Sequence, residues 1–74
     1  MATHAETMND ISHRFTYHPP KDGQPQRYTD LREAARLLAV KIAEECRDSR
    51  ERSLSLTKLE EAVFWANAAI ARNE

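Results

Sequence analysis

The sequence predicts an all-α fold, a short N-terminal helix followed by an antiparallel two-helix hairpin that assembles as an oligomer. Three observations predict it. Two long runs carry apolar residues at helical spacing. The link between them, Arg47-Asp48-Ser49, is so short that the second run must return alongside the first. The only glycine, Gly23, precedes both runs, so no strong breaker interrupts either.

Residues 1–24 form a polar N-terminal segment within a single domain spanning 1–74. Met8, Ile11 and Phe15 are spaced by three and four, which predicts a short helix over about 5–15. Thr16-Tyr17-His18 then leads into Pro19-Pro20. A residue before proline is pushed towards extended backbone, so Tyr17 to Pro20 should be a stiff strap able to line a groove.

The first long helix is expected over 25–47. Pro25 suits a first turn, where its missing N–H costs nothing. Leu31, Ala35, Leu38 and Ile42 follow at steps of four, three and four, with Ala34 and Cys46 widening the stripe. Cys46 is expected as a small buried hydrophobe near the helix end. As the only cysteine it can form no disulfide within the chain.

The second long helix is expected over 49–72. Leu56, Leu59, Val63, Ala66 and Ile70 repeat at three, four, three and four, the spacing of a coiled-coil seam. Asp48 or Ser49 would cap it, and Glu51 stands three residues after Asp48, the spacing of a capping box. Ala62, Trp65 and Ala69 make a second apolar line. In an isolated hairpin much of that line would face water. It is therefore expected at an oligomer interface, unless the N-terminal segment folds over Trp65.

Composition narrows the function. The chain has 74 residues, with 11 Lys and Arg against 12 Asp and Glu. Long nucleic acid is usually bound through a clear positive excess, so a polymeric nucleic-acid partner is not expected. A small anion held by a few placed groups remains compatible with near-neutrality. No apolar run approaches the roughly 20 residues of a bilayer span, and the N-terminus lacks the pattern of a signal peptide. A cytosolic location, without membrane attachment, is the expectation.

No catalytic constellation is apparent, and no cofactor or metal site is expected. His4, His13 and His18 lack a metal-ligand spacing. Glu60 and Glu61 are adjacent on a helix, about 100° apart, and do not share a face. Ser53, Ser55 and Thr57 have no neighbouring base or glycine-rich elbow. Ligand binding is better supported. Tyr17 and His18 offer rings that could stack on a base. Arg32 and Arg36, four apart, share a helix face and could contact phosphate oxygens. Arg72, at the far end of the second helix, should return near the start of the first.

Beyond these single residues, the order of elements resembles a known phage family. The pattern Phe15-x-Tyr17-His18-Pro19-Pro20, then Tyr28-x-x-Leu31-Arg32-x-Ala34-Ala35-x-x-Leu38-Ala39, carries part of the likeness. Ser49 to Ser53, Leu56 to Ala62 and the tail Trp65 to Arg72 carry the rest. Together they resemble the anti-CBASS cyclic-nucleotide sponges, whose hairpin domain also occurs in anti-Thoeris sponges. The link Cys46-Arg47-Asp48 lacks the proline many relatives carry there.

The resemblance implies a compact helical hexamer in the cytoplasm of the infected bacterium. It would bind cyclic dinucleotides between paired protomers, and in some members cyclic trinucleotides where three protomers meet, without cleaving them. It also implies roles by position. Tyr17 matches the base-stacking aromatic, Arg32 the phosphate-contacting cation, and Arg72 the cation of the trinucleotide site. His18, Ser53 and Thr57 are further candidates for polar contacts, beside Arg36 from its shared face with Arg32. The alternative from the residues alone is a helical oligomerisation or protein-interaction module without nucleotide affinity.

Overall fold

The computed structural model describes residues 2–74, which form three helices: α1 (His4–Phe15), α2 (Gln24–Glu45) and α3 (Arg50–Asn73). Among the described residues there is no strand. A hydroxyl side chain caps α1 and α3, whereas α2 opens on a glycine without a side-chain cap. Thr3 caps α1, its hydroxyl accepting from the Glu6 N–H at 3.1 Å. Gly23 opens α2 in the left-handed region, φ 82°, a conformation costly for residues with a Cβ. Pro25 follows within the first turn. Ser49 caps α3 by accepting from the Arg52 N–H at 3.1 Å.

That last cap corrects the capping-box expectation. With Ser49 at the cap, the third helical residue is Arg52, and Glu51 is one position too early to reach back. Arg52 instead closes the turn. Its Nη1 donates to the carbonyls of Ala43 and Cys46, at 3.4 and 3.3 Å, and its Nη2 to Asp48 at 3.2 Å. The Ala43 carbonyl is one of those the end of α2 leaves without a helical partner. Cys46 is also corrected: it is exposed, because it leaves α2 in extended backbone instead of turning under the hairpin.

The α2–α3 hairpin forms the body of the protein, and α1 stands off from it. The whole measures 48 × 34 × 15 Å, one helix layer thick. The seam also differs from the expected stripe. On α2 the half-buried line is Tyr28, Ala35, Ala39 and Ile42, facing Leu56, Leu59, Val63, Ala66 and Ile70 of α3. Leu31 and Leu38 sit to one side of that line, and Leu38 stays 48 % exposed. With Ala34 and Ala62 they line an open apolar channel beside the seam. Small Ala35 and Ala39 let the helices approach, which pushes the larger leucines to the flank.

A single layer cannot enclose much. Ile70 is the one buried hydrophobic side chain among the described residues. Its neighbour in space is Gln24, 4 % exposed. The Gln24 amide donates to the Ile70 carbonyl at 3.3 Å and accepts from the Lys21 N–H at 2.9 Å. It therefore ties the start of α2 to the last turn of α3, where carbonyls would otherwise lack partners. Arg27 adds a two-pronged pair with the Glu74 carboxylate, at 2.5 and 3.0 Å, and Lys21 donates to the Glu74 backbone carbonyl.

Candidate functional site

The end of the hairpin away from its turn, together with the strap Thr16–Pro20, builds an open groove of about 510 Å³. Tyr17 and His18 come from the strap, Tyr28 and Arg32 from α2, and Asn67, Ala68, Ala71 and Arg72 from α3. Arg14 of α1 closes one side. The antiparallel return is what brings Arg72 beside Arg32 despite their separation along the chain. Four residues singled out from the sequence, Tyr17, His18, Arg32 and Arg72, thus meet in one place.

Charge sets the character of this groove. Most cations of the chain are paired with carboxylates: Arg14 with Asp10, Arg27 with Glu74, Arg36 with Glu33, Lys41 with Glu45, Arg52 with Asp48 and Lys58 with Glu61. Arg32 and Arg72, like Lys21, Arg47 and Arg50 outside the groove, have no carboxylate within 4 Å among the described residues. Arg32 reaches only the Thr29 hydroxyl, at 3.5 Å. Two guanidinium groups without a carboxylate, beside the exposed Tyr17 ring and the half-buried Tyr28 ring, suit an anion that carries aromatic rings. Tyr17 is 80 % exposed, so one face of its ring is open for stacking.

The remaining candidates lie elsewhere. Arg36 lines a neighbouring groove with Phe64, Glu60 and Ala39, and Arg32 and Asn67 border both grooves. Its guanidinium is forked onto Glu33 at 2.6 to 3.2 Å. That hydrogen bond, with the charge behind it, raises the Arg36 pKa and lowers that of Glu33. Ser53 and Thr57 are exposed near the turn end of α3. At 1.5 Å per residue, Ser53 is about 28 Å from Arg72 along the helix, outside the groove.

Trp65, 63 % exposed, faces a second groove with Phe15, Arg14, Ala68, Ala69 and Arg72. α1 borders this groove without covering the indole. Ala62, in contrast, lies on the opposite flank of α3, in the apolar channel with Leu31 and Leu38.

Sequence reasoning missed three contributors. Tyr28 stands one turn before Arg32 on the same face, a signal that the helical spacing contained. Asn67 is the sole polar side chain between Ala62 and Ala71, and its Oδ1 is buried without a hydrogen-bond partner. Arg14 enters only because the chain reverses after α1. Among the described residues, no three His, Cys, Asp or Glu side chains are grouped to hold a metal ion. No described helix is long and apolar enough to cross a membrane.

A single-layer hairpin that gathers unpaired cations and exposed rings in one open groove defines a small helical ligand-binding protein. Comparison with family models gives the particular kind. Residues 8–71 match the Acb2/Tad1 hairpin domain, and the chain belongs to that family, the anti-CBASS and anti-Thoeris sponges. The family points to phage anti-defence by uptake of cyclic oligonucleotides, binding them as a sponge and not acting as an enzyme. No curated protein and no solved structure matched the chain.

Proposed function

We propose that this protein sequesters cyclic oligonucleotide second messengers inside the infected bacterium, holding them intact so that the CBASS effector is not activated. Cyclic dinucleotides such as cyclic GMP–AMP are the first ligand class, and cyclic trinucleotides the second. The observation that carries the reading is the groove in which Tyr17 stands with Arg32 and Arg72, neither cation being neutralised by a carboxylate. Tyr17 supplies the stacking face, Arg32 the phosphate contact, and Arg72 a second cation.

A cyclic dinucleotide presents two bases and two phosphates in near two-fold arrangement. A site shared by two symmetric protomers matches it, each giving one ring and one cation. Assembly, as a hexamer in this proposal, is supported by the thin core and by the exposure of Phe64, Trp65 and Leu38. Burying a large apolar side chain contributes roughly 1.5–3 kcal/mol, and a protomer of this size has few other sources of stability. The same exposed residues are the one observation favouring a helical interaction module without nucleotide affinity.

Calorimetric titration with cyclic GMP–AMP and with a cyclic triadenylate separates these readings. Tight binding, with the ligand released unchanged on denaturation, is the expected outcome. Absence of binding to both would leave the interaction module; recovery of a cleaved product would remove the sponge.

A further inference from the structure

We infer that His18 is the positioning residue of the groove: its ring locks the strap onto α1 and thereby sets the Tyr17 ring. The inference rests on the binding proposed above only for its consequence, since the lock itself belongs to the free protein.

The strap has almost nothing else to hold it. Pro19 and Pro20 have no N–H to donate. At its start the Thr16 hydroxyl bonds back to the Ser12 carbonyl, and at its end the Lys21 N–H reaches Gln24. Between these points a single hydrogen bond holds the strap, and it runs to α1, from His18 Nε2 to the carbonyl of His13 at 3.1 Å. The His13 carbonyl is one of the last four of α1, so the helix offers it no partner. The two imidazole rings also meet edge to face, 5.5 Å apart at 70°. His18 is accordingly half-buried, whereas Tyr17 beside it stays open.

The bond also defines the ring's chemistry. A carbonyl oxygen can only accept, so Nε2 must carry the proton. Neutral His18 is then the Nε2–H tautomer, with Nδ1 free of hydrogen. The bond commits one edge of the ring and fixes its orientation. Its effect on ligand passes through its neighbour. Tyr17 lies between Thr16, held at its hydroxyl, and His18, held at its ring and confined to extended backbone by Pro19. The strap is thus held against α1 with Tyr17 lining the groove of Arg32 and Arg72, and less of it is left to be ordered at the moment of binding.

The test uses the full chain and three variants. His18→Ala should weaken cyclic GMP–AMP binding about tenfold, the expected effect of leaving one residue to be ordered on binding. Assembled mass should not change, and the thermal midpoint should fall by no more than the roughly 4–8 °C of one lost hydrogen bond. His18→Gln, whose amide can donate to the same carbonyl, should recover most of the affinity. Without any ligand, long-range proton–nitrogen NMR should show His18 protonated at Nε2. Trypsin should then cut after Arg14 and Lys21 faster in His18→Ala than in the parent.

An Nδ1–H tautomer in the free protein, or a cleavage rate unchanged in His18→Ala, would overturn the lock. Equal loss of affinity in the Ala and Gln variants would mean that the ring touches ligand directly, and would overturn the positioning role. If the parent bound no cyclic nucleotide, the proposed function would fall, while the tautomer and the cleavage rates would still decide the lock.

Discussion

Arg52 at the turn end of the hairpin, and Arg32 and Arg72 in the groove, use the same side chain in opposite ways. At the turn end, Arg52 is fully occupied: it reaches two carbonyls of the α2 terminus and the Asp48 carboxylate. Towards the other end, Arg32 and Arg72 line one groove without a carboxylate partner. The contrast teaches where stability and binding reside. A cation whose donors are used within the chain stabilises the fold, and one left without a carboxylate is available to an anion from outside. Arg36 marks the boundary, bordering the second groove yet held by Glu33.

Substitutions should separate the two ends cleanly. The largest effect is expected at Trp65, which the single protomer leaves open. Truncating a buried aromatic costs roughly 3–5 kcal/mol, so Trp65→Ala should lower the mass seen by light scattering if the indole is buried between subunits. An unaltered mass would remove Trp65 from the interface.

Next come the groove residues. Tyr17→Ala should lose about 1–3 kcal/mol of binding, the worth of stacking one base, with the oligomer intact. Arg32→Gln should cost a comparable amount, about 1.5–3 kcal/mol for hydrogen bonds to a charged group. Arg36→Gln should cost clearly less, because Glu33 already occupies that guanidinium. Equal losses by calorimetry would erase the distinction drawn between paired and unpaired cations.

A smaller effect of the opposite kind belongs to the turn. Arg52→Ala should reduce stability by about 1 kcal/mol, a fall of roughly 4–8 °C in Tm for a domain this size. Its ligand affinity should match the parent. A change in affinity without a change in Tm would contradict the division between the ends.

The smallest effect is acid dependence at the Arg27–Glu74 pair. The hydrogen bond from Arg27, with its charge, holds the Glu74 carboxyl below its ordinary value of 4.5. A lowered folded-state value means the contribution is present above the ordinary pKa and is lost as pH falls through the lowered one. Melting curves should therefore show a slight loss of stability below about pH 4.5 that Glu74→Gln flattens. Both groups are half-exposed, so solvent keeps the effect small.

Much of the fold was legible in the residues. Apolar steps of three and four marked all three helices, and the short link dictated the return. Helical periodicity, however, defines a stripe and not its partner. Leu31 and Leu38 lie beside the seam because the small Ala35 and Ala39 permit the closest approach of the two helices there. The true cap was hidden for a related reason. Asp48 and Ser49 are equally good capping types, and only the path of the turn selects one.

The sequence by itself determined the helical class, the near-neutral charge, the antiparallel hairpin and the stiff proline strap. All of these follow from local spacing and from backbone limits acting within a few residues. Tertiary structure alone decided which cations lack carboxylates, that Arg32 and Arg72 converge, that Ser53 and Thr57 stand apart, and that His18 holds the strap. The shared groove of Arg32 and Arg72 and the Arg27–Glu74 pair depend on distances between segments far apart in the chain, whereas the His18 bond and the pairs three or four residues apart depend on which way each side chain turns, which spacing leaves open.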